Sequence, residues 1–290
     1  MKKIEFVEII AGEDGFFNYP SGICYDLKQD VFYIADMHNH RICWLHRTSR
    51  EKGELPNAIT GFDGGSQLKR PLAVSLSGKG DLYVADAENN GIFCKKMDSD
   101  DWNPVVRSYR DESEPLLNLP GGVTVDYQEN VYTNDFLNNR IRGIDKAGRV
   151  FTLAGHDGMI SQPYGVFHKQ DKIYFTDTGN GCIRYFDLYT RQTLTLQPQK
   201  SVKAKMAPIA VTVDDEGNVY ICEQRAMLYY DIGTRELLSV LDRDIWRGLS
   251  QKFSLKDKIC HIGSVVVPEK GEIYWTDTIK GLIYRMVVSN

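Results

Sequence analysis

Residues 18–45 read NYPSGICYDLKQDVFYIADMHNHRICWL and decide the fold. Three runs rich in β-branched and aromatic residues are separated by a polar turn at 27–30 and a polar loop at 37–40. Such runs, bounded by polar residues and glycine, are typical of short antiparallel strands. The second run ends in Asp36, directly before the loop. The stretch therefore predicts three consecutive strands of one sheet.

The same pattern returns five more times along the chain. Each copy starts at a proline or its equivalent: Pro20, Pro71, Pro120, Pro163, Pro208 and Ile262. The steps of 43 to 54 residues between these positions suit a four-stranded antiparallel blade. The sixth copy has three strands before residue 290, and residues 6–15 (FVEIIAGEDG) match the last strand and turn at 151–158 (FTLAGHDG). We therefore predict one all-β domain over 1–290, a six-bladed β-propeller whose sixth blade is completed by a strand from about Glu5 to Ala11.

The repeated motifs resemble a known family. The pattern Pro-x-Gly-Val, then Val-Tyr-x-Ala-Asp, then Asn-His-Arg-Ile is similar to the NHL repeat, and residues 36–42 (DMHNHRI) match its central signature. The resemblance spans essentially the whole chain. It implies a propeller fold, but NHL-type propellers include protein, RNA and peptide binders, and related propellers include enzymes. The family resemblance alone therefore leaves the function open.

The composition restricts the classes of partner that we expect the protein to bind. The net charge of -4 and the pI near 5.9 give no general reason for nucleic acid or an anionic membrane to bind. Residues 1–8 carry charge where a signal peptide needs an apolar core, and no run approaches the length of a membrane span. We expect a cytoplasmic monomer. The six cysteines are far apart, which favours free buried thiols over a disulfide or zinc framework.

The repeat also predicts which residues surround the mouth of the central channel. In a propeller, the loop between the second and third strands opens on the same face as the entry into each innermost strand. The residues flanking the proline position on that face are asymmetric and include Tyr19, Arg70, Gln162, Tyr164 and His261. This donor-rich arc is a candidate site for a small anion, a carboxylate or a peptide end. The alternative is that these residues differ because nothing constrains them.

Blade five departs from the repeat, with Glu223 in the aspartate place and a shorter loop that contains Arg225. Departures from a repeat mark places where function has displaced structure, so this pair is a second candidate. The alternative is an exposed ion pair of little consequence. The recurrent carboxylates of the other blades are interpreted as caps that accept backbone N–H groups of the loop: Asp36, Asp86, Asp135, Asp177 and Asp277.

Histidines raise the question of a metal. His38, His156 and His261 fall on the mouth face, and imidazole suits zinc or copper, so a divalent metal ion is a possible cofactor. Against this, His156 belongs to a turn far in angle from blade one, and His40 is the repeat's own histidine. The connection between Leu241 and Ile262 is long enough for a short helix or a flap over the mouth.

Two functional hypotheses follow. In the first, the protein binds a small molecule, peptide or protein on the mouth face, with Met37, Phe136 and Leu137 as apolar contacts. In the second, it is a propeller enzyme of the lyase, hydrolase or lactonase type, with candidate catalytic residues His261, Tyr164, Glu223 and Arg70. A third possibility, RNA binding, needs one continuous basic face formed by Arg70, Lys200, Lys203, Lys205 and Arg225.

Overall fold

The computed structural model describes residues 3–60, 67–106, 117–201, 206–253, 255 and 261–289. These residues form six antiparallel sheets, and the innermost strands of successive sheets contact one another in a closed cycle. The prediction of a six-bladed β-propeller is confirmed. Lys203 and Lys205, which the hypothesis of RNA binding requires, lie outside the described part of the chain, and so does Cys260, one of the six cysteines.

Each blade runs from an innermost strand at the channel to an outermost strand at the rim. The innermost strands of blades one to six are Pro20–Asp26, Pro71–Leu76, Val123–Val125, Pro163–Lys169, Ala210–Val213 and Ile262–Glu269. The second strands are Val31–Asp36, Leu82–Asp86, Val131–Asp135, Lys172–Asp177, Val219–Glu223 and Glu272–Asp277. The third strands are Arg41–His46, Gly91–Lys95, Arg140–Ile144, Cys182–Asp187, Ala226–Tyr230 and Leu282–Ser289.

The outermost strands differ most between blades. In blades one to five they are Lys52–Glu54, Trp102–Pro104, Val150–Ala154, Gln192–Thr195 and Glu236–Leu241. In blade two this strand begins at Trp102, which is fully buried between blades one and two. Blade five carries one additional short strand, Lys200–Ser201, parallel to Glu236–Leu241.

The N-terminal strand closes the ring as predicted. Lys3–Ala11 pairs antiparallel with Leu282–Ser289 and becomes the outermost strand of blade six. Its inward side chain Val7 is buried beside Met286 in the core shared by blades five and six. The first and last parts of the chain therefore belong to one sheet, which covers an edge that would otherwise offer unpaired N–H and C=O groups.

The hydrophobic core lies between neighbouring blades rather than in the channel. Phe32 and Ile34 of blade one pack with Tyr274 and Ile283 of blade six in one buried cluster. Alternate strand residues reach the cluster on either side of each blade, as the two-residue period of a strand requires. This arrangement leaves the innermost strands to surround the channel.

A network of ion pairs joins blades six and one on the face opposite the loops of the Asp36 type. Arg47 of blade one contacts Asp30 at 2.7 Å and Glu269 of blade six at 3.0 Å. Within blade six, Arg285 joins Glu272 at 2.6 Å to Glu8 of the N-terminal strand at 3.1 Å. Most of these side chains are half-buried, so the ion pairs hold blades six and one together more firmly than isolated exposed pairs would.

The long connection after blade five contains a helix, Arg243–Lys252. Asp242 caps its start, because the carboxylate accepts the backbone N–H groups of Asp244 and Ile245. Trp246 and Leu249 are buried in the core shared by blades five and six. The helix was one of the two forms expected for this connection, and it packs against the side of the blades.

Candidate functional site

The channel holds a cavity of about 390 Å³ lined by the innermost strands of all six blades. Its wall consists largely of aliphatic side chains and strand backbone, with hydroxyl groups from Ser21, Ser75, Thr124 and Ser264 among them. Among the described residues that line it there is no Asp, Glu, Lys or Arg. A cavity of this size and polarity accommodates a small molecule or the end of a peptide.

The rim of the cavity is built on an unusual backbone conformation. The residues before the prolines in blades one to four are all in the left-handed region, at φ 50 to 60°: Tyr19, Arg70, Leu119 and Gln162. This conformation is uncommon for residues other than glycine, so the surrounding structure must hold it in place. Two sets of hydrogen bonds do so.

The first set consists of latches between neighbouring blades. The Nδ1 atom of His40 accepts the backbone N–H of Arg70 at 3.0 Å. Asn90 and Asn139 occupy the equivalent place in blades two and three, and their Oδ1 atoms accept from Leu119 at 2.9 Å and Gln162 at 2.7 Å. The interpretation of His40 as a structural residue of the repeat therefore has a geometric basis, since its Nδ1 is an acceptor in this latch.

The second set consists of carboxylates at the end of each second strand. Each accepts a backbone N–H at the entry to its own blade: Asp36 from Asn18 (2.7 Å), Asp86 from Lys69 (2.6 Å), Asp135 from Asn118 (2.7 Å), Asp177 from Ser161 (2.8 Å), Glu223 from Ala207 (2.7 Å) and Asp277 from His261 (3.3 Å). The interpretation of the aspartates as caps is supported, although they cap the entry segment as well as the loop.

Glu223 plays the same part with a longer side chain. The Glu223 side chain is 5% exposed. Its Oε1 accepts the backbone N–H of the residue directly before the proline, whereas four of the aspartates accept from the residue two positions before the proline. Glu223 does not line the cavity. Its neighbour Gln224 does line the cavity, and Arg225 lies exposed outside it.

Two tyrosines face each other across the mouth, from blades one and four. Tyr19 packs against the ring of His38 with ring centroids 4.6 Å apart, and Tyr164 meets the edge of Phe136 at 5.9 Å. Burial raises the pKa of Tyr164, the nearby Tyr19 adds to this, and the positive charge of Arg70 opposes it. Tyr19 and Arg70 therefore both lie near Tyr164 at the mouth, although Arg70 does not line the cavity.

The other predicted residues are placed differently. His261 lines the cavity, and its Nδ1 is buried with no hydrogen-bond partner in the described part of the chain. Gln162 is exposed on the rim and does not line the cavity. Of the expected apolar contacts, Met37 is buried, Phe136 supports Tyr164, and Leu137 is exposed.

The lining includes residues that were placed on the correct face but not proposed as site residues. These are Gln224, Thr278 and Ile279, which follow the second-strand carboxylates of blades five and six. The alignment of the repeats identifies their loops but not which side chains turn inward. Ile279 is 61% exposed at the mouth, so it adds apolar surface that a ligand can cover.

The histidines do not form a cluster. His38 contacts Tyr19, exposed His156 lies within 3.3 Å of the carbonyl oxygen of Thr152, and His261 lines the cavity. Over residues 3–60, 67–106, 117–201, 206–253, 255 and 261–289 there is no group of three His, Cys, Asp or Glu side chains placed to hold a metal ion. The described geometry therefore gives no support to a divalent metal cofactor bound by these histidines.

Sequence comparison agrees with the geometry. Residues 17–45 match the family model of the NHL repeat. The chain is a six-bladed β-propeller that carries an NHL repeat. The protein SUPPRESSOR OF QUENCHING 1, chloroplastic, of Arabidopsis thaliana is 24% identical over 212 residues, which cover 61% of this chain and 20% of that protein. The chain thus matches about one fifth of the length of that relative.

Solved propellers resemble this NHL-repeat chain over nearly its full length. A gluconolactonase of Xanthomonas campestris superposes with a TM-score of 0.72 at 11% identity and covers 99% of this chain and 95% of its own. A streptogramin B lyase gives 0.67 at 11% identity and covers 98% of both chains. A chain of a nidogen/laminin complex gives 0.60 at 18% identity, covering 75% of this chain and 78% of its own. These likenesses establish the fold.

The helices were compared with the length and hydropathy that a membrane span requires. In the part of the chain that the structure describes, no helix is both long and apolar enough to cross a bilayer.

The latch at His40 predicts a graded response to substitution. His40 has φ 55°, so His40→Asn retains both the conformation and an acceptor, as Asn90 and Asn139 do. We expect the free energy of unfolding, measured in urea, to stay within about 0.5 kcal/mol for Asn. His40→Gly allows the left-handed conformation but removes the acceptor, so it should lower the free energy of unfolding by about 1 kcal/mol. His40→Ala should lower it further, and equal losses for Asn and Gly would contradict the latch.

Asp86 predicts a dependence of stability on pH. It is fully buried, and no arginine contacts it among the described residues, whereas Asp36, Asp135 and Asp177 each bind one. Burial raises the pKa of Asp86 to about 7, although hydrogen bonds from Lys69 and Asn89 oppose the shift.

Because this pKa lies above the ordinary value of about 3.9, the folded protein holds a proton on Asp86 that the unfolded chain has released. The contribution of Asp86 to stability therefore falls as pH rises from about 4 to about 7. Asp86→Asn removes this dependence on pH. The free energy of unfolding of the variant in urea, relative to that of wild type, should therefore rise by about 1–3 kcal/mol from pH 5 to pH 8. An equal difference at both pH values would show that Asp86 is ionised throughout.

Proposed function

We propose that the protein is a binding module that takes a small molecule, or the end of a peptide, into the central channel from the mouth face. The observation that carries the proposal is the convergence of Tyr19, Tyr164 and His261, from blades one, four and six, on one uncharged cavity. Aromatic rings offer a large apolar surface at low conformational cost, and their polar ends orient a ligand.

The wall of the cavity specifies the body of the ligand. Because its described lining carries no charged side chain, an ionic group deep in the channel would lose its hydration without an ionic partner. An apolar or weakly polar body avoids that loss, and Leu72, Ile209 and Ile279 add aliphatic contacts at the entrance. We therefore expect ligands whose buried part is uncharged.

The propeller fold agrees with this proposal without naming the ligand. The repeat holds the rim backbone of blades one to four alike, so the identity of a ligand depends on the few side chains that differ at the mouth. Binding of nucleic acid has less support. Of the five residues that it requires, Lys200 pairs with Glu236 at 3.7 Å and Arg70 pairs with Glu88 at 3.4 Å.

A cavity-filling variant tests the proposal. Ser264 and Ser75 line the channel from blades six and two, so Ser264→Phe and Ser75→Phe should each fill part of it. The uncharged probe is 4-phenylbutanamide, and binding is measured by saturation-transfer NMR. We expect a signal with wild type and its loss in both variants.

Ser49→Phe provides the matched control, since Ser49 is exposed in an outer turn of blade one and does not line the cavity. This variant should bind the probe as wild type does. Circular dichroism of each variant separates loss of the site from loss of the fold. Undiminished binding by the folded channel variants, or no binding by wild type, would refute the proposal.

A second candidate function, catalysis, is favoured by His261. Its buried Nδ1 without a described partner is the kind of nitrogen that can accept a proton from a substrate in the cavity. The virginiamycin B lyase of Staphylococcus aureus superposes with a TM-score of 0.63 at 12% identity and covers 99% of both chains. A histidine-to-alanine variant of that lyase is catalytically inactive. His261 is the histidine that lines the cavity here.

The enzymatic alternative is tested with glucono-1,5-lactone, because one of the similar structures is a gluconolactonase. Acid release is followed in a pH-stat, with and without added Mg²⁺, Mn²⁺ or Zn²⁺. General-base catalysis by His261 predicts ring opening above the buffer rate and its reduction by about 10²–10⁴-fold in His261→Ala. Rates equal to the buffer rate in wild type, or equal rates for both proteins, would exclude His261 catalysis of this reaction.

A further inference from the structure

One arc of the channel mouth carries hydrogen-bond donors that the described residues leave unused or engage only in one exposed pair. Tyr19 and Tyr164 line the cavity, and neither side-chain hydroxyl hydrogen-bonds to any of the described residues. Arg70 lies on the same rim, since it occupies in blade two the position that Tyr19 occupies in blade one. Two phenolic hydroxyls and a guanidinium are all suited to donate to an oxyanion.

Arg70 is fixed at its backbone but not at its head group. Its N–H is held by His40 at 3.0 Å, and its φ of 55° sets the direction in which the side chain leaves the rim. The guanidinium meets only one described carboxylate, that of Glu88, at 3.4 Å, and the two side chains are 45% and 44% exposed. A long, exposed pair of this kind contributes little, so another carboxylate can displace Glu88.

The acidic side chains nearest the mouth are otherwise engaged. The carboxylates of Asp36, Asp277 and Glu223 accept backbone N–H groups at the blade entries. No described acidic side chain lines the cavity. Among the described residues, Glu88 is therefore the acidic side chain that a ligand carboxylate would have to displace from Arg70.

We propose that Arg70, Tyr19 and Tyr164 form a subsite for the carboxylate of a ligand whose apolar body enters the channel, and that Glu88 competes internally for Arg70. This inference rests on the proposed binding function and specifies the charge and orientation of the ligand. In the empty protein, Glu88 pairs with Arg70. When the ligand binds, its carboxylate takes the place of Glu88 at the guanidinium. The carboxylate stays at the rim, where water still reaches it, while the uncharged part fills the cavity.

The test compares two probes that differ in one group, 4-phenylbutyrate and 4-phenylbutanamide. Dissociation constants are measured by isothermal titration calorimetry for wild type, Arg70→Gln and Glu88→Gln. Wild type should bind the carboxylate about tenfold more tightly than the amide, as a hydrogen-bonded charge pair allows. Arg70→Gln should abolish this preference and leave the amide unchanged. Glu88→Gln should strengthen carboxylate binding by about two- to fivefold.

Arg247→Gln and Asp244→Asn on the helix provide matched controls, because this pair is also exposed, at 3.8 Å, and neither residue lines the cavity. Neither control should alter the preference. Equal affinity of wild type for the two probes, or a preference that survives Arg70→Gln, would overturn the carboxylate subsite while the proposed function stands. Binding of neither probe would overturn both.

The carboxylate can belong to a small molecule or to the end of a peptide. The peptide acetyl-Ala-Ala-Leu-Phe with a free carboxyl terminus, and its amide, form the second pair of probes. Tighter binding of the free acid than of 4-phenylbutyrate assigns the subsite to peptide ends, and weaker binding assigns it to small carboxylates. Both results support an anionic head group, provided that Arg70→Gln removes the preference of each acid over its amide.

Discussion

The structure depends on one repeated hydrogen bond, between the carboxylate that ends each second strand and a backbone N–H at the entry to the innermost strand. It occurs in all six blades, at distances from 2.6 to 3.3 Å, and its acceptors are buried. The bond leaves no buried donor unsatisfied, and it is strongest where the carboxyl group is ionised. The same bond closes the loop and fixes the segment from which the rim side chains leave.

Because that bond sets the rim backbone alike in blades one to four, differences between these blades are carried by side chains. Tyr19, Arg70, Leu119 and Gln162 share one left-handed conformation yet present a phenol, a cation, an aliphatic group and an amide to the rim. The repeat thus supplies a symmetric frame and leaves the chemistry of the mouth asymmetric. This asymmetry explains why the fold alone does not determine function, while the arc of Tyr19, Arg70 and Tyr164 restricts it.

Most of the fold follows from the sequence, because the blade pattern is local and occurs six times. The match between residues 6–15 and 151–158 predicted that the N-terminal strand completes blade six, and the pairing of Val7 with Met286 confirms it. In blade two, the outermost strand is anchored by Trp102, which is buried in the cluster shared by blades one and two.

The candidate site was less predictable, because it depends on directions taken by side chains from different blades. The repeat placed Tyr19, Tyr164 and His261 at the mouth, and all three line the cavity. It could not show that Gln224 turns inward while Arg225 does not. Glu223, taken as a departure with functional meaning, instead keeps the capping role of the aspartates.

The most direct test of a ligand site at this mouth is a crystal structure of the protein with 4-phenylbutyrate. The account predicts the phenyl ring inside the channel and the carboxylate within about 2.7–3.1 Å of Arg70 and of at least one hydroxyl of Tyr19 or Tyr164, with Glu88 displaced. A structure in which the probe lies outside the channel, or in which Arg70 still pairs with Glu88 while the carboxylate faces solvent, would contradict it.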